Sequence, residues 1–156
     1  MRVRFSMPLP VVDEAVQAAK IAAVADAVHR IREVLPPEAD ALRADRSARE
    51  IVILNLFVAI QECLALATHW LADARWSVPG SYSDVFLALA DHGVIDRALA
   101  ERMVAAAGFR NLVAHQYGAI NTDRLFAIAS TDLDDLLEFC QTLARQAHRE
   151  SSGSAS

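Results

Sequence analysis

The sequence predicts an all-α protein, an antiparallel bundle of four main helices plus a short helix. Three observations carry this reading. About a fifth of the 156 residues are alanine, the best helix former. Glycine and proline number only five each, too few for a turn-rich β protein. Apolar residues recur every three or four positions along segments of helical length. With 54% hydrophobic residues and a mean hydropathy of +0.22, the chain is not a disordered one. It is long enough to bury a core without disulfides or metals. The apolar excess also predicts a dimer, because one copy does not cover all of its own apolar faces.

The elements follow in order. Residues 1–12 form an irregular N-terminal segment, residues 13–150 the helical domain, and residues 151–156 a polar, small-residue tail expected to be disordered. The first helix spans about residues 13–35: Asp13 and Glu14 suit its N-terminus, Ala18, Ile21, Ala22, Ala25, Val28 and Ile31 repeat at helical spacing, and Pro36-Pro37 stop it. The second and longest spans about residues 38–75, with a possible break within residues 45–49. Its run Ile51-Val52-Ile53-Leu54 reads locally like a buried strand, but apolar residues continue at helical spacing through Phe57, Ile60, Leu64 and Trp70. A helix this apolar belongs at the centre of a bundle. Pro79-Gly80 marks a loop, and a short third helix follows at about residues 83–91, with Ser83 as N-cap and Gly93 as stop. The fourth runs over about residues 96–116, its buried stripe formed by Leu99, Met103, Ala106, Leu112 and Val113, with Gly118 as its stop. The fifth covers about residues 122–148, with Thr131-Asp132 as a place to kink or split.

Composition excludes several classes of function. The net charge of −5 and pI of about 5.5 argue against a broad basic surface for non-specific nucleic-acid binding. Cys63 and Cys140 lie outside any CxxC pattern and read as reduced core residues. No signal-peptide pattern opens the chain. The most apolar stretch, residues 51–67, is too short to span a bilayer and carries Asn55, Gln61 and Glu62, so no membrane role is expected. A cytoplasmic protein is the expectation. No glycine-rich phosphate loop, zinc pattern or Ser-His-Asp arrangement occurs, and no cofactor or metal is called for.

One segment carries chemistry: Gly108-Phe109-Arg110-Asn111-Leu112-Val113-Ala114-His115-Gln116-Tyr117-Gly118. At about 100° per residue, Asn111 and His115 fall on one face of the helix, while Arg110 lies about 140° away from His115. Spacing alone leaves two readings open. Arg110 pairs with a neighbouring carboxylate, with His115 and Tyr117 as packing residues, or the three form a site. Among the other polar residues, His29, His69, His92 and His148 show no metal-ligand spacing. Arg43, Arg46 and Arg49 make a basic strip that reads first as a solvated face and second as an RNA or partner contact. Trp70, Trp76 and Tyr82 read as packing around the loop.

The residues Arg110-Asn111-x-x-x-His115-x-Tyr117 fit an Arg-x-x-x-x-His-x-Tyr motif, and the chain resembles the HepT-like toxin group of the HEPN superfamily. Asn55-Leu56, Ala59-Ile60-Gln61 and Ala67-Thr68-His69 resemble the group's long second helix. Val78-Pro79-Gly80-Ser81-Tyr82 and Phe86 resemble its following loop and short helix, and Gly93-Val94-Ile95 with Gly108-Phe109 its approach to the motif. The resemblance covers about residues 45–145. Where the group often has an acidic residue in mid-helix, this chain has Leu66.

The resemblance implies a HEPN-type helical bundle, usually a homodimer, that cleaves RNA without a metal. The implied partner is an MNT-type nucleotidyltransferase antitoxin that transfers AMP to the motif's tyrosine and silences the nuclease. By position, Arg110 and His115 would be catalytic, Asn111 supporting, and Tyr117 the AMPylation target. The chemistry is compatible. Attack by a ribose 2′-hydroxyl needs a group that exchanges protons near neutral pH, which histidine does. The developing phosphorane needs a fixed positive charge, which arginine supplies through a planar fork. Asn111 could fix the imidazole tautomer or contact the RNA. AMP on Tyr117 would bring a phosphate toward Arg110 and a nucleoside across the cleft. The acidic chain fits a structured RNA such as tRNA better than indiscriminate binding. The alternative is a non-catalytic helical module that binds a nucleotide or docks a nucleotidyltransferase.

Overall fold

The computed structural model describes residues 13–154; the expected irregular segment 1–12 lies outside the described residues. The described residues form seven α-helices and one 3-10 turn, with no strand: α1 Glu14–Val34, α2 Ala39–Ala44, α3 Arg46–Asp73, α4 Tyr82–Asp91, α5 Arg97–Gln116, the 3-10 turn Tyr117–Ala119, α6 Thr122–Thr131 and α7 Leu133–Ser154. The four long helices α1, α3, α5 and α7 are the bundle expected from the sequence.

Polar contacts fix the antiparallel order. The start of α1 meets the end of α3, where Asp13 N donates to Asp73 Oδ2 at 3.1 Å. The end of α1 meets the start of α7 through Arg32 and Asp134 at 2.7 Å, and the end of α7 returns to the start of α1 through Ser151 and Glu14 at 2.9 Å. Arg102 of α5 pairs with Glu138 of α7 at 2.9 Å, while Gln146 further along α7 reaches back to Val94 O, so these two also run in opposite directions.

Helix starts are written in the sequence as capping residues. Asp13 accepts from Ala15 N and Val16 N, Asp45 from Ala48 N, Asp96 from Leu99 N and Asn121 from Arg124 N. Each cap satisfies a backbone donor with no intrahelical partner and is worth about 1 kcal/mol. The cap of α4 is Ser81, whose Oγ accepts from Asp84 N, rather than the expected Ser83. Two expected helices are each two. Asp45 leaves helical geometry to cap α3, so the long second helix begins with a separate turn, α2. At Asp132 the expected fifth helix divides into α6 and α7. Ser130 Oγ and Thr131 Oγ1 donate back to Phe126 O and Ala127 O, a pattern that bends helices. α7 also runs on through residues 151–154, which were expected to belong to a disordered tail, and Ser151 is tied to Glu14 there.

α3 is the central helix. α1 lies along it as the most extensive pairing in the fold, and α4, α5 and α7 pack on its remaining sides. With 28 residues and a window of mean hydropathy 2.0, it is longer than the apolar stretch 51–67 suggested, and by length and composition it passes the test for a membrane span. Half of that window is buried inside the bundle, and Leu66, Ala67, Trp70 and Leu71 are core residues. Phe86 of α4 and Phe139 of α7 meet edge-to-face at 5.3 Å beside it. Cys63 and Cys140 are buried and reduced, as expected.

Candidate functional site

The motif occupies the last two turns of α5. Phe109 and Val113 are buried and anchor the helix to the core. Arg110 and Asn111 are half-buried, and His115 and Tyr117 are exposed. α5 ends at Gln116, whose φ of −140° and ψ of 43° break the helix, and Tyr117 begins the 3-10 turn. Tyr117 therefore leaves the helical trajectory, as the neighbouring Gly118 suggested, although Gly118 itself adopts no left-handed conformation.

Arg110 is the best-held residue of the segment. Its Nε donates to Gln61 Oε1 at 3.0 Å, and Nη1 reaches Asn111 Oδ1 at 3.5 Å. Its guanidinium carbon lies 4.6 Å from the centroid of the Tyr82 ring and 5.2 Å from that of Phe57. These distances are those of cation–π contacts. Gln61 and Phe57 come from α3 and Tyr82 opens α4, so two helices hold a guanidinium carried by a third. The sequence left open a pairing of Arg110 with a neighbouring carboxylate; among the described residues it has none, and its partners there are uncharged.

Arg110 and Asn111 are thus in contact, and Asn111 lies one turn from His115 on the same face. His115 makes no hydrogen bond or ion pair among the described residues.

Tyr117 is 52% exposed and stands between two grooves. One, of about 420 Å³, is largely apolar and is lined by Ile53, Leu54, Phe57, Val113 and Ala114, with Glu50 at its edge. The other, of about 280 Å³, includes Arg46, Arg49, Ile120 and Thr122. The basic strip of Arg43, Arg46 and Arg49 is engaged locally. Arg43 pairs with Asp40 and, at 2.6 Å, with Asp123, tying α2 to α6. Arg46 pairs with Glu50, and Arg49 donates to the carbonyls of Leu42 and Arg43 at the end of α2. Leu54, 62% exposed, lines the first groove, and Tyr82, exposed as well, packs on Arg110; Val58 and Val78 are also exposed. Trp76 stacks on His92 at 3.8 Å.

Phe57, Gln61 and Tyr82 gained no site role from the sequence. Gln61 did carry a signal, as a polar residue amid the apolar turns of the longest helix. Tyr82 carried none beyond its place in the resemblance.

A family model described as ribonuclease HepT-like matches residues 24–143 of the chain. The mRNA nuclease HepT of Shewanella oneidensis is 27% identical over 124 residues, covering 80% of this chain and 92% of that relative. A solved structure of the tri-AMPylated Shewanella oneidensis HEPN toxin in complex with MNT antitoxin matches with a TM-score of 0.77 at 25% identity, over 83% of this chain and 97% of that one. YutE of Bacillus subtilis, a cytosolic protein of unknown function, shares the fold with a TM-score of 0.78 at 14% identity, over 90% of this chain and 94% of its own.

Proposed function

The chain belongs to the HepT-like ribonuclease family, and from that membership we propose that it is the toxin of a toxin–antitoxin pair. It is a cytoplasmic endoribonuclease that cleaves RNA without a metal, through Arg110 and His115, and it is silenced by AMPylation of Tyr117. The observation that carries the reading is Arg110 itself: a half-buried guanidinium, held by residues of α3 and α4 and paired with no carboxylate among the described residues, one helix turn and a residue before an exposed histidine.

The roles follow from the chemistry. The 2′-oxygen of a ribose attacks the adjacent phosphorus as His115 takes the 2′-hydroxyl proton. Charge developing on the phosphoryl oxygens is met by Arg110. The 5′-oxygen of the next nucleotide departs and needs a proton, and the product end is a 2′,3′-cyclic phosphate. One histidine cannot take and give protons on opposite sides of the phosphorus in the same step. A homodimer joined across the apolar surface around Leu54 would bring a second His115 to one cleft, with one as base and the other as acid. Asn111 supports the site by holding Arg110 and by contacting ribose or phosphate.

The partner is an MNT-type nucleotidyltransferase antitoxin, as in the solved Shewanella oneidensis complex. Tyr117 suits modification because its ring is exposed and leaves the end of α5 beside the motif. An added AMP carries a negative phosphate and a nucleoside large enough to cover the rim. The substrate is RNA, with mRNA and tRNA as the two classes to test.

Purified protein is incubated with total RNA in EDTA beside His115→Ala and Arg110→Ala, with mass spectrometry of Tyr117. Cleavage by the unmodified wild type alone, leaving 2′,3′-cyclic phosphate ends, is the expected result. Equal cleavage by the variants would refute the site. An unmodified and inactive wild type would favour a module that only docks the nucleotidyltransferase.

A further inference from the structure

Arg30, Arg32, Arg43, Arg46, Arg97 and Arg102 each hold a carboxylate within ion-pair distance. Arg110 holds none among the described residues, although it is half-buried and closely packed. Its Nε is taken by the amide oxygen of Gln61 at 3.0 Å, and its faces are met by the Tyr82 and Phe57 rings. The Gln61 amide is fixed in orientation by this bond, because Nε can only donate and so must meet Oε1. Tyr82 Oη makes no hydrogen bond among the described residues, so the ring, and not the hydroxyl, is what Arg110 uses.

Resting on the ribonuclease reading above, we propose that Gln61 and Tyr82 are positioning residues of the cleavage reaction: an uncharged cradle that fixes Arg110 while leaving its charge for the scissile phosphate. Holding a guanidinium in place is easiest with a carboxylate, which makes two strong hydrogen bonds to it. That solution would spend the charge the reaction needs. An amide accepts at the same distance without neutralising, and a ring restrains the guanidinium plane through its quadrupole. With Nε occupied by Gln61, the Nη1 and Nη2 edge is the one that faces a phosphate, and both of its nitrogens can donate to phosphate oxygens.

The position of Gln61 makes the idea testable with one isosteric change. Gln61→Glu places a carboxylate where the amide oxygen stands, so Arg110 gains a charged partner with no change of shape. The test uses the full chain, compares Gln61→Glu, Tyr82→Leu and Tyr82→Phe with the wild type, and takes Arg110→Ala as reference. Cleavage of total RNA is followed in EDTA. Binding of a fully 2′-O-methylated oligoribonucleotide, which lacks the nucleophile, is measured across a salt series.

Gln61→Glu is expected to lower kcat/KM by about 10- to 100-fold and to lessen the salt slope of binding by about 0.7, the loss of one contact on a single strand. Tyr82→Leu should lose about tenfold in kcat, and Tyr82→Phe should restore the wild-type rate. A merely structural role would change the melting temperature and leave the salt slope alone. Wild-type rate and slope in Gln61→Glu would overturn the proposal, as would a loss of rate with an unchanged slope. Equal rates for Tyr82→Leu and Tyr82→Phe would remove Tyr82 from it. Undiminished cleavage by Arg110→Ala would instead overturn the ribonuclease assignment on which the proposal stands.

Discussion

Arg110 and His115 sit five residues apart, yet the fold treats them in opposite ways. Arg110 is half-buried and held by Gln61, Phe57 and Tyr82, whereas His115 is exposed and makes no hydrogen bond or ion pair among the described residues. Substitutions should therefore separate function from stability differently at the two positions. His115→Ala should abolish cleavage while leaving unfolding free energy within about 0.5 kcal/mol of wild type, as expected for an exposed site. Arg110→Lys keeps the charge but loses the planar fork and the Nε donor that meets Gln61. Cleavage should fall by about 10- to 100-fold. Paired rate and denaturation measurements check both; an active Arg110→Lys would mean that charge alone suffices. The buried thiols give a further residue-scale test. Hydrogen bonding with Cys140, then burial, holds the Cys63 thiol well above its ordinary value. The native protein at pH 8 should resist alkylation at both cysteines until it is unfolded. Fast labelling of the folded chain would mean that the two thiols are not sealed in the core.

At the scale of elements, two helices end alike with different residues. After α4, Gly93 adopts a φ of 77°, Gly93 N donates to Ala90 O and Val94 N to Leu89 O. After α3, Arg75 adopts a φ of 62°, Arg75 N donates to Ala72 O and Trp76 N to Leu71 O. Both are Schellman caps, whose left-handed position favours glycine. A Cβ at Gly93 would meet nothing within 4 Å, so the cost of Gly93→Ala is conformational, about 1 kcal/mol. Arg75→Gly should stabilise the fold by a similar or smaller amount. Equilibrium denaturation of the two variants should move in opposite directions. These caps also show what the sequence made legible. Gly93 could be read as a stop because glycine is the ordinary residue there; Arg75 could not, because nothing in an arginine announces a positive φ. The four long helices were legible from apolar spacing, and the possible breaks near Asp45 and Asp132 from residues that compete with helical backbone bonds. The cradle of Arg110 was not legible, since Gln61 lies 49 residues from it in the chain and only packing brings them together.

The whole molecule presents an imbalance that its secondary structure does not explain. α3 is apolar on several sides, yet α1, α4, α5 and α7 leave one strip of it uncovered, where Leu54 is 62% exposed and Val58 37%. That strip borders the groove of Leu54, Phe57, Val113 and Tyr117, next to the motif on α5. A second copy of this chain seated on that strip would cover it and, on the proposed mechanism, would bring a second His115 to serve as the acid. Leu54→Glu tests the two consequences together. The side chain is already exposed, so helical content and melting temperature should remain close to wild type. A carboxylate buried against an apolar partner costs several kcal/mol, enough to shift the protein to monomer at micromolar concentration. Sedimentation should show the monomer, and cleavage should fall with dimer content and recover as protein concentration rises. A variant that stays dimeric places the interface elsewhere on the bundle. A monomer that cleaves at the full rate means that one His115 and one Arg110 suffice, with solvent water protonating the leaving oxygen.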